Sequence, residues 1–286
     1  MLPNFLIIGA QKAATTFLAR QLEEHPDIYL AVQKEIHYFN HKYEQESPLW
    51  YETHFDSWSG QKVVGEATPG YLNHPDAPAR IKSTLGGEVK LIASLRHPVD
   101  RAYAAFWHYL VRGRIAEDTD FRTFFLNRDT FGLRSRGDYF THLNNYFTHF
   151  PRQNFLIFIY EEDVKGEGNS AVRSSMKFLE VDSHQVSVSV EKGVNQGRDM
   201  RKFQNHVLAL RRAVVKRTRL LPESVRKPIM GFGKQAYQQA ILNRLPKQED
   251  YEPLQASVRR ELLEPYMSEI VRLEELLERN LSVWYQ

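Results

Sequence analysis

The first segment with residue types suited to chemistry lies between residues 9 and 16, where the chain reads Gly-Ala-Gln-Lys-Ala-Ala-Thr-Thr. A short apolar run, Phe5 to Ile8, precedes it and is typical of a buried strand. Apolar residues then recur at helical spacing from Thr15 to Glu24. A loop of small residues between a strand and a helix lets backbone N–H groups and the helix dipole converge on an anion. Lys12 adds a full charge and the threonines add hydroxyl donors, so the segment predicts an anion site.

This loop differs from the nucleotide-triphosphate pattern GxxxxGK[ST], because Lys12 comes too early and Ala14 stands just before the threonine pair. The alternative interpretation is a plain corner between strand and helix with an incidental surface lysine.

A second candidate segment carries acid–base groups. Glu35 and His37 are two residues apart, so an extended backbone would turn both side chains to the same side. Either group is a candidate proton acceptor, and the alternative is a pair of surface polar residues. Glu66 ends a predicted strand that begins at Val63, and ligand sites of α/β proteins gather at strand ends.

A third candidate is Arg96, which follows the strongest predicted strand, Val89 to Leu95. A guanidinium binds phosphate through two parallel hydrogen bonds and stays charged. The alternative is an arginine that ends a strand in a salt bridge. Pro98 suits the first turn of a following helix.

These candidates must be positioned by alternating strands and helices. A fourth strand is predicted over Phe155 to Tyr160, after an aromatic-rich helix from about Tyr139 to Phe150. Such alternation predicts an α/β fold with a central parallel sheet flanked by helices. We expect a single domain over residues 1–286, with a core of about 4–200 and a helical C-terminal part of about 201–286.

Composition restricts the function further. The 286 residues are 42% hydrophobic and 26% charged, which is ordinary for a globular protein. The absence of cysteine excludes a thiolate nucleophile and a cysteine-ligated metal. The net charge of +3 gives no global field for a polyanion, so we expect no nucleic-acid partner. No apolar stretch is long enough for a signal peptide or membrane span, so we expect a cytoplasmic protein without membrane association, or a catalytic domain cut from something longer.

The order of several motifs resembles one known family, the sulfotransferases that use 3′-phosphoadenosine 5′-phosphosulfate (PAPS), especially the heparan-sulfate-type and related bacterial members. The first motif is GxxKxxTT after the N-terminal strand, similar to the family's P-loop-like phosphosulfate-binding loop. The resemblance covers roughly residues 4–200. The other matching motifs are His25-Pro26-Asp27, Lys34-Glu35-Ile36-His37-Tyr38-Phe39, Trp50-Tyr51, Gly65-Glu66-Ala67-Thr68-Pro69-Gly70-Tyr71, Leu95 to Tyr103, Gly137-Asp138-Tyr139 and Tyr160-Glu161-Glu162.

The resemblance implies a role for each matching position. It places Lys12 at the leaving phosphate and Glu35 as the base, with His37 as the second candidate base or an acceptor-orienting residue. Glu66 matches an acidic position of the family and would bind the acceptor or support Lys12, and Tyr71 would stack on an acceptor ring or pack in the core. No metal is required, because a lysine and loop amides can neutralise the leaving group. The resemblance implies that the donor PAPS and its product 3′,5′-ADP (PAP) contact Gln11, Lys12, Ala13, Ala14, Thr15, Thr16, Arg96, Ala104, Gly197 and Arg198.

Two positions depart from the family pattern. Ala104 stands where a serine would bind the 3′-phosphate, and Ala67 stands where heparan-sulfate members often carry a catalytic lysine. These departures keep a non-catalytic nucleotide-binding protein open as an alternative function. A nucleotide-kinase-like phosphoryl transferase is a further alternative, which the missing GK[ST] disfavours.

The acceptor is left open as a polysaccharide, a glycolipid or a small metabolite that offers a hydroxyl or an amine. The basic stretch at 201–234 has the pattern of an amphipathic helix with a solvated charged face. The alternative is a lid over the donor or a docking surface.

Overall fold

The computed structural model describes residues 1–116, 118–127, 129–165, 169–183 and 253–286. The chain divides into two compact units. One comprises Met1–Ala105, Asp120–Val190 and Gln255–Gln286, and the other comprises Phe106–Thr119 and Glu191–Leu254. The candidate residues placed by the structure all belong to the first of these units.

A five-stranded sheet lies at the centre of the first unit. Its strands are β1 Phe5–Gly9, β2 Ile28–Leu30, β3 Val63–Ala67, β4 Lys90–Leu95 and β5 Phe155–Ile159. They are ordered β2-β3-β1-β4-β5, and every neighbouring pair is parallel. The predicted parallel sheet is therefore confirmed. β2 was not predicted, because three residues are too few to show a period.

Nine α-helices flank the sheet or follow it within the described residues. They are α1 Thr15–Glu23, α2 Pro48–Glu52, α3 Ala77–Leu85, α4 Pro98–Val111, α5 Phe121–Asn127, α6 Tyr139–Phe147, α7 Asn169–Phe178, α8 Ala256–Leu263 and α9 Met267–Leu277. The last two confirm a helical C-terminal part. The basic stretch at 201–234 lies outside the described residues.

Both faces of β1 are buried, which explains its unbroken apolar sequence. Phe5 and Ile7 pack in one cluster with Leu18 of α1 and Met176 of α7. The residues of opposite parity, such as Leu6, are also fully buried. Helix α1 is thereby packed on the sheet, and the loop before it is held at the end of β1.

Strands β1 and β3 pack closely at one point. Phe5 pairs with Gly65, and a Cβ at Gly65 would approach the ring of Phe5 to 2.2 Å, so only glycine fits there. Strand β1 lies between β3 and β4, and the order of strands changes direction at this point. Ligands of open α/β sheets bind beyond the carboxyl ends of strands at such a switch point. The loop after β1 occupies that position.

Candidate active site

The loop after β1 is a five-residue connection, Ala10 to Ala14, that is anchored at its start. The N–H of Ala10 donates to the carbonyl of Ser94 in β4 at 2.8 Å. Lys12 and Ala14 have left-handed backbones with φ of 69° and 63°. At Gly9 a Cβ would lie 2.5 Å from Cβ of Leu72, so the loop leaves the sheet through a position that only glycine can fill.

Helix α1 starts from this loop without a side-chain cap, because its N-cap residue is Ala14. The first N–H groups of an α-helix have no acceptor within the helix, and the helix dipole adds partial positive charge at the same place. An anion placed here would therefore receive hydrogen bonds that the chain's own N-cap side chain does not occupy.

Two arginines from distant segments contact the loop. Nη1 of Arg96 donates to the carbonyl of Lys12 at 3.2 Å, and Nη1 of Arg136 donates to Oε1 of Gln11 at 2.7 Å. The loop is thus bordered by guanidinium groups as well as by the side chain of Lys12. Sequence reasoning identified Arg96 and missed Arg136, which precedes the matched Gly137 by one residue.

The segment that carries Glu35 and His37 is not extended. The prediction that an extended backbone turns both side chains to the same side is therefore wrong. Both residues have left-handed backbones with φ of 60° and 62°. The N–H of Glu35 donates to the carbonyl of Ala67 at 3.1 Å, which fixes this segment against the end of β3. The side chains nevertheless meet, with Nε2 of His37 3.5 Å from Oε2 of Glu35.

The charge state of Glu35 follows from these neighbours. The hydrogen bond from His37 is the largest cause that lowers the pKa of Glu35 below its ordinary value. The charges of Lys34 and Lys12 lower this pKa further, while partial burial opposes them. Glu35 is therefore ionised at neutral pH, as a proton acceptor must be, and it lies within the field of Lys12.

Asn40 orients His37 and was not identified from the sequence. Its Oδ1 accepts the N–H of His41 at 2.6 Å, so its Nδ2 is left to donate to Nδ1 of His37, at 3.3 Å. In this hydrogen-bond network the proton of a neutral His37 is assigned to Nε2, the nitrogen that faces Glu35. His37 thus acts as a donor to Glu35.

Glu66 lies in a different environment, inside the protein. It is 1% exposed. Its carboxylate accepts hydrogen bonds from the hydroxyl groups of Thr68 at 2.6 Å, Tyr71 at 2.7 Å and Tyr51 at 3.0 Å. Burial raises the pKa of Glu66, and these hydrogen bonds partly offset it. Tyr71 is fully buried as well. The contacts of Glu66 and Tyr71 with an acceptor remain predictions. Burial of both side chains does not favour them, because a substrate could not reach them directly.

Arg96 is held almost entirely inside the protein, at 7% exposed. Its guanidinium lies 5.3 Å from the ring centre of Tyr160, and burial lowers its pKa. Its Nε is buried and has no hydrogen-bond partner among the described residues. A buried unpaired donor on a cation is costly, and a bound phosphate would satisfy it. Ala104 is also buried, in α4.

Residues of the C-terminal part stabilise the backbone that follows Arg96. Glu161 accepts the N–H of His97 at 2.9 Å and the indole N–H of Trp284 at 2.8 Å. Arg259 pairs with Asp100 at 3.0 Å, so a second residue of the C-terminal part holds the start of α4. No sequence motif indicated these contacts, because they join residues that are 64, 123 and 159 positions apart.

Gly197 and Arg198, which are predicted to contact the donor PAPS, lie outside the described residues. Among the residues that the structure describes, no group of three or more His, Cys, Asp or Glu side chains is arranged to hold a metal ion. Likewise, no helix of the described part is both long and apolar enough to span a bilayer.

With this geometry established, the sequence comparison decides the family. Residues 2–206 match the family described as "Sulfotransferase domain". The chain belongs to the sulfotransferase family. The resemblance inferred from the phosphate loop and the Arg96 motif is thereby confirmed.

Curated relatives fall in the same family. The chain is 42% identical over 114 residues to the "Membrane-associated sulfotransferase kil1" of Dictyostelium discoideum, a match that covers 39% of this chain and 24% of the relative. It is 34% identical over 166 residues to the human "Heparan sulfate glucosamine 3-O-sulfotransferase 3B1", which covers 54% of this chain and 40% of the relative. The chain thus spans less than half the length of these relatives.

A solved structure shares the fold. The crystal structure of a sulfotransferase from Alicyclobacillus acidocaldarius superposes with a TM-score of 0.71, covers the whole of both chains and is 23% identical in sequence. This likeness supports the α/β fold of this sulfotransferase and carries no statement about its substrate.

Proposed function

We propose that this chain transfers a sulfuryl group from PAPS to a hydroxyl or amine of an acceptor. One observation carries the proposal: an uncapped helix start with Lys12 faces the ionised carboxylate of Glu35 at the end of the sheet. This arrangement supports the proposal, because an in-line transfer needs a phosphate-binding group and a proton acceptor in one site.

The donor would lie across the ends of β1 and β4. The phosphate loop and Lys12 bind its 5′-phosphate through N–H groups and charge. Arg96 binds its 3′-phosphate, which satisfies the buried Nε. Because Arg96 also donates to the carbonyl of Lys12, the two phosphate sites are held at a set separation.

The transfer step follows from the placement of the charges. Glu35 takes the proton from the acceptor O–H or N–H as that atom forms a bond to sulfur. The bond between sulfur and the bridging oxygen breaks, and its electron pair stays on the 5′-phosphate of PAP. Lys12 stabilises that added negative charge, and His37 orients Glu35 through Nε2.

The names of the relatives support a glycan acceptor, since one is described as a heparan sulfate 3-O-sulfotransferase. Three histidine rings lie near one another, starting with His37 beside Glu35: ring centres are 5.4 Å apart for His37 and His41 and 6.4 Å for His41 and His74. These rings are suited to contact a sugar hydroxyl or an acidic group on it.

The function is tested by two measurements. Transfer of labelled sulfuryl from PAPS to a panel of glycan and small-molecule acceptors should give product, and ATP should not replace PAPS. Calorimetry should show that Arg96→Ala weakens PAP binding by about 2–4 kcal/mol, the cost of leaving one partner of a buried charged pair unpaired.

A matched control is Arg122→Ala, since Arg122 is an exposed arginine paired with Glu261 at the surface. This variant should bind PAP normally. If wild-type protein bound ATP and PAP equally well and transferred no sulfuryl group, the proposed function would be wrong.

A further inference from the structure

Lys34 is a cation of the site to which neither a motif nor the transfer step above gives a role. Its Nζ is in hydrogen-bond contact with Oγ1 of Thr16, the second residue of α1. The same Nζ lies 3.7 Å from Oε1 of Glu35. The ammonium group therefore lies between the helix start that follows the phosphate loop and the carboxylate proposed as the base.

A simple surface ion pair would explain this geometry poorly. The side chains of Lys34 and Glu35 are 37% and 43% exposed, and exposed pairs contribute about 0–1 kcal/mol. Partial burial is the largest influence on Lys34 and lowers its pKa; Arg20 acts in the same direction, and Glu35 opposes both. The chain thus keeps a partly desolvated ammonium at the site, where its interaction with an anion is strengthened.

In the proposed transfer, the path of the sulfuryl group would pass the ammonium of Lys34. In an in-line displacement the leaving oxygen and the attacking atom lie on opposite sides of the sulfur, and the three non-bridging oxygens point sideways between them. The leaving oxygen belongs to the phosphate at the loop, and the attacking atom lies at Glu35. A group that contacts Thr16 on one side and Glu35 on the other faces the sideways oxygens.

We propose that Lys34 is a catalytic residue whose ammonium binds the non-bridging oxygens of the sulfuryl group during transfer. The inference rests on the proposed function and names a contact within the same site. While the new O–S or N–S bond forms and the bond to the 5′-phosphate breaks, these oxygens keep their negative charge, and Lys34 stabilises it. Lys34 gains and loses no proton in this step.

The division of labour between the two lysines gives a distinct signature. Lys12 faces the 5′-phosphate, which both PAPS and PAP carry. Lys34 faces the sulfuryl group, which PAPS carries and PAP lacks. Loss of Lys34 should therefore affect the donor and spare the product, whereas loss of Lys12 should affect both.

The experiment is calorimetric binding of PAPS and of PAP, without acceptor, to the wild-type chain and to variants. Lys34→Ala should weaken PAPS binding about 10- to 100-fold, the equivalent of one charge-assisted hydrogen bond, and should change PAP binding less than about twofold. Lys34→Arg should recover part of the PAPS affinity. Lys62→Ala is the control, because Lys62 precedes β3 at the far end and donates to the carbonyl of Glu180 at 3.0 Å.

The outcomes separate this inference from the proposed function. An equal loss for PAPS and PAP would show that Lys34 supports the phosphate loop, and no loss for either would show a surface ion pair. Both results would overturn the inference while wild-type PAP binding left the proposed function standing. A wild-type chain that bound neither nucleotide would overturn the proposed function and the role of Lys34 with it. Thermal unfolding of each variant checks that the fold is kept.

Discussion

Two glutamates near the carboxyl end of β3, Glu35 and Glu66, lie in opposite environments. Glu35 has its N–H bonded to the carbonyl of Ala67, the residue that follows Glu66 in β3. The side chain of Glu35 is 43% exposed and is surrounded by lysine and histidine. Glu66 is 1% exposed and is surrounded by hydroxyl groups.

The difference shows how the surroundings shift the pKa of one residue type in opposite directions. Nearby positive groups lower the pKa of Glu35, so its carboxylate is open to a substrate and ionised. Burial raises the pKa of Glu66, and its hydrogen bonds hold Tyr51 and Tyr71 in the core. Glu35 thus has the features of a reacting group and Glu66 those of a structural one, although Glu66 lies near the end of β3 and Glu35 is bonded to that same end.

The largest expected effect is on turnover when Glu35 is replaced. Glu35→Gln should lower kcat by about 10²–10⁴, the usual contribution of a general base, and should leave PAP affinity unchanged. Steady-state kinetics with labelled PAPS measures this. His37→Ala should cost less, since His37 acts through Glu35. A fully active Glu35→Gln together with an inactive His37→Ala would exchange their roles.

Glu66 should respond in stability instead. Glu66→Gln replaces one acceptor oxygen by an NH₂ group that faces hydroxyl donors, so we expect a loss of about 1–3 kcal/mol in the free energy of unfolding. Urea titration monitored by circular dichroism measures it, with Glu35→Gln as the matched variant that should lose clearly less stability. Equal stability of the two variants would remove the distinction between the two carboxylates.

A smaller effect is expected for one of the hydroxyl donors. Tyr51→Phe removes the 3.0 Å hydrogen bond to Glu66 and keeps the ring, which stacks on Tyr38 with centres 4.6 Å apart. Two other hydroxyls still serve Glu66, so we expect a loss of about 0.5–1.5 kcal/mol in unfolding free energy. A loss as large as that of Glu66→Gln would mean that Tyr51 alone holds the carboxylate.

The finest test is the pH dependence of stability. The pKa of Glu66 is raised from 4.5 in the folded chain, so the folded state takes up its proton first as pH falls. The stability of wild type relative to Glu66→Gln should therefore grow on acidification from neutral pH towards 4.5. The pKa of Glu35 lies below 4.5, so the stability of wild type relative to Glu35→Gln should shrink as pH falls below that value. Parallel curves for the two variants would contradict the assignment.

Much of this architecture was predictable from local sequence. Four of the five strands were predicted, and β1, β4 and β5 among them are mainly apolar runs of ordinary length. The loop after β1 was singled out as a candidate anion site from its small residues and lysine. The strand Ile28–Leu30 was missed because it is only three residues long. The extended path expected through Glu35 was wrong, because left-handed residues replace it.

The site beyond the motifs depended on contacts between distant segments. Asn40 was missed because its effect on His37 requires a turn that no period reveals. Arg136 reaches Gln11 across 125 positions of sequence, and Trp284 reaches Glu161 across 123. Such pairs are formed when the sheet brings strand ends together, and nothing in the local pattern of either segment indicates them.

The sequence by itself determined the residue types and their order: a loop of small residues with a lysine after Phe5 to Ile8, an arginine after Val89 to Leu95, and a carboxylate with an imidazole between them. The tertiary structure decided which carboxylate is exposed beside the lysines and which is buried under hydroxyls. The reason is physical. Charge and hydrogen-bonding capacity belong to a residue, whereas burial and neighbouring charges, which set its pKa and its access to substrate, arise only when distant segments pack together.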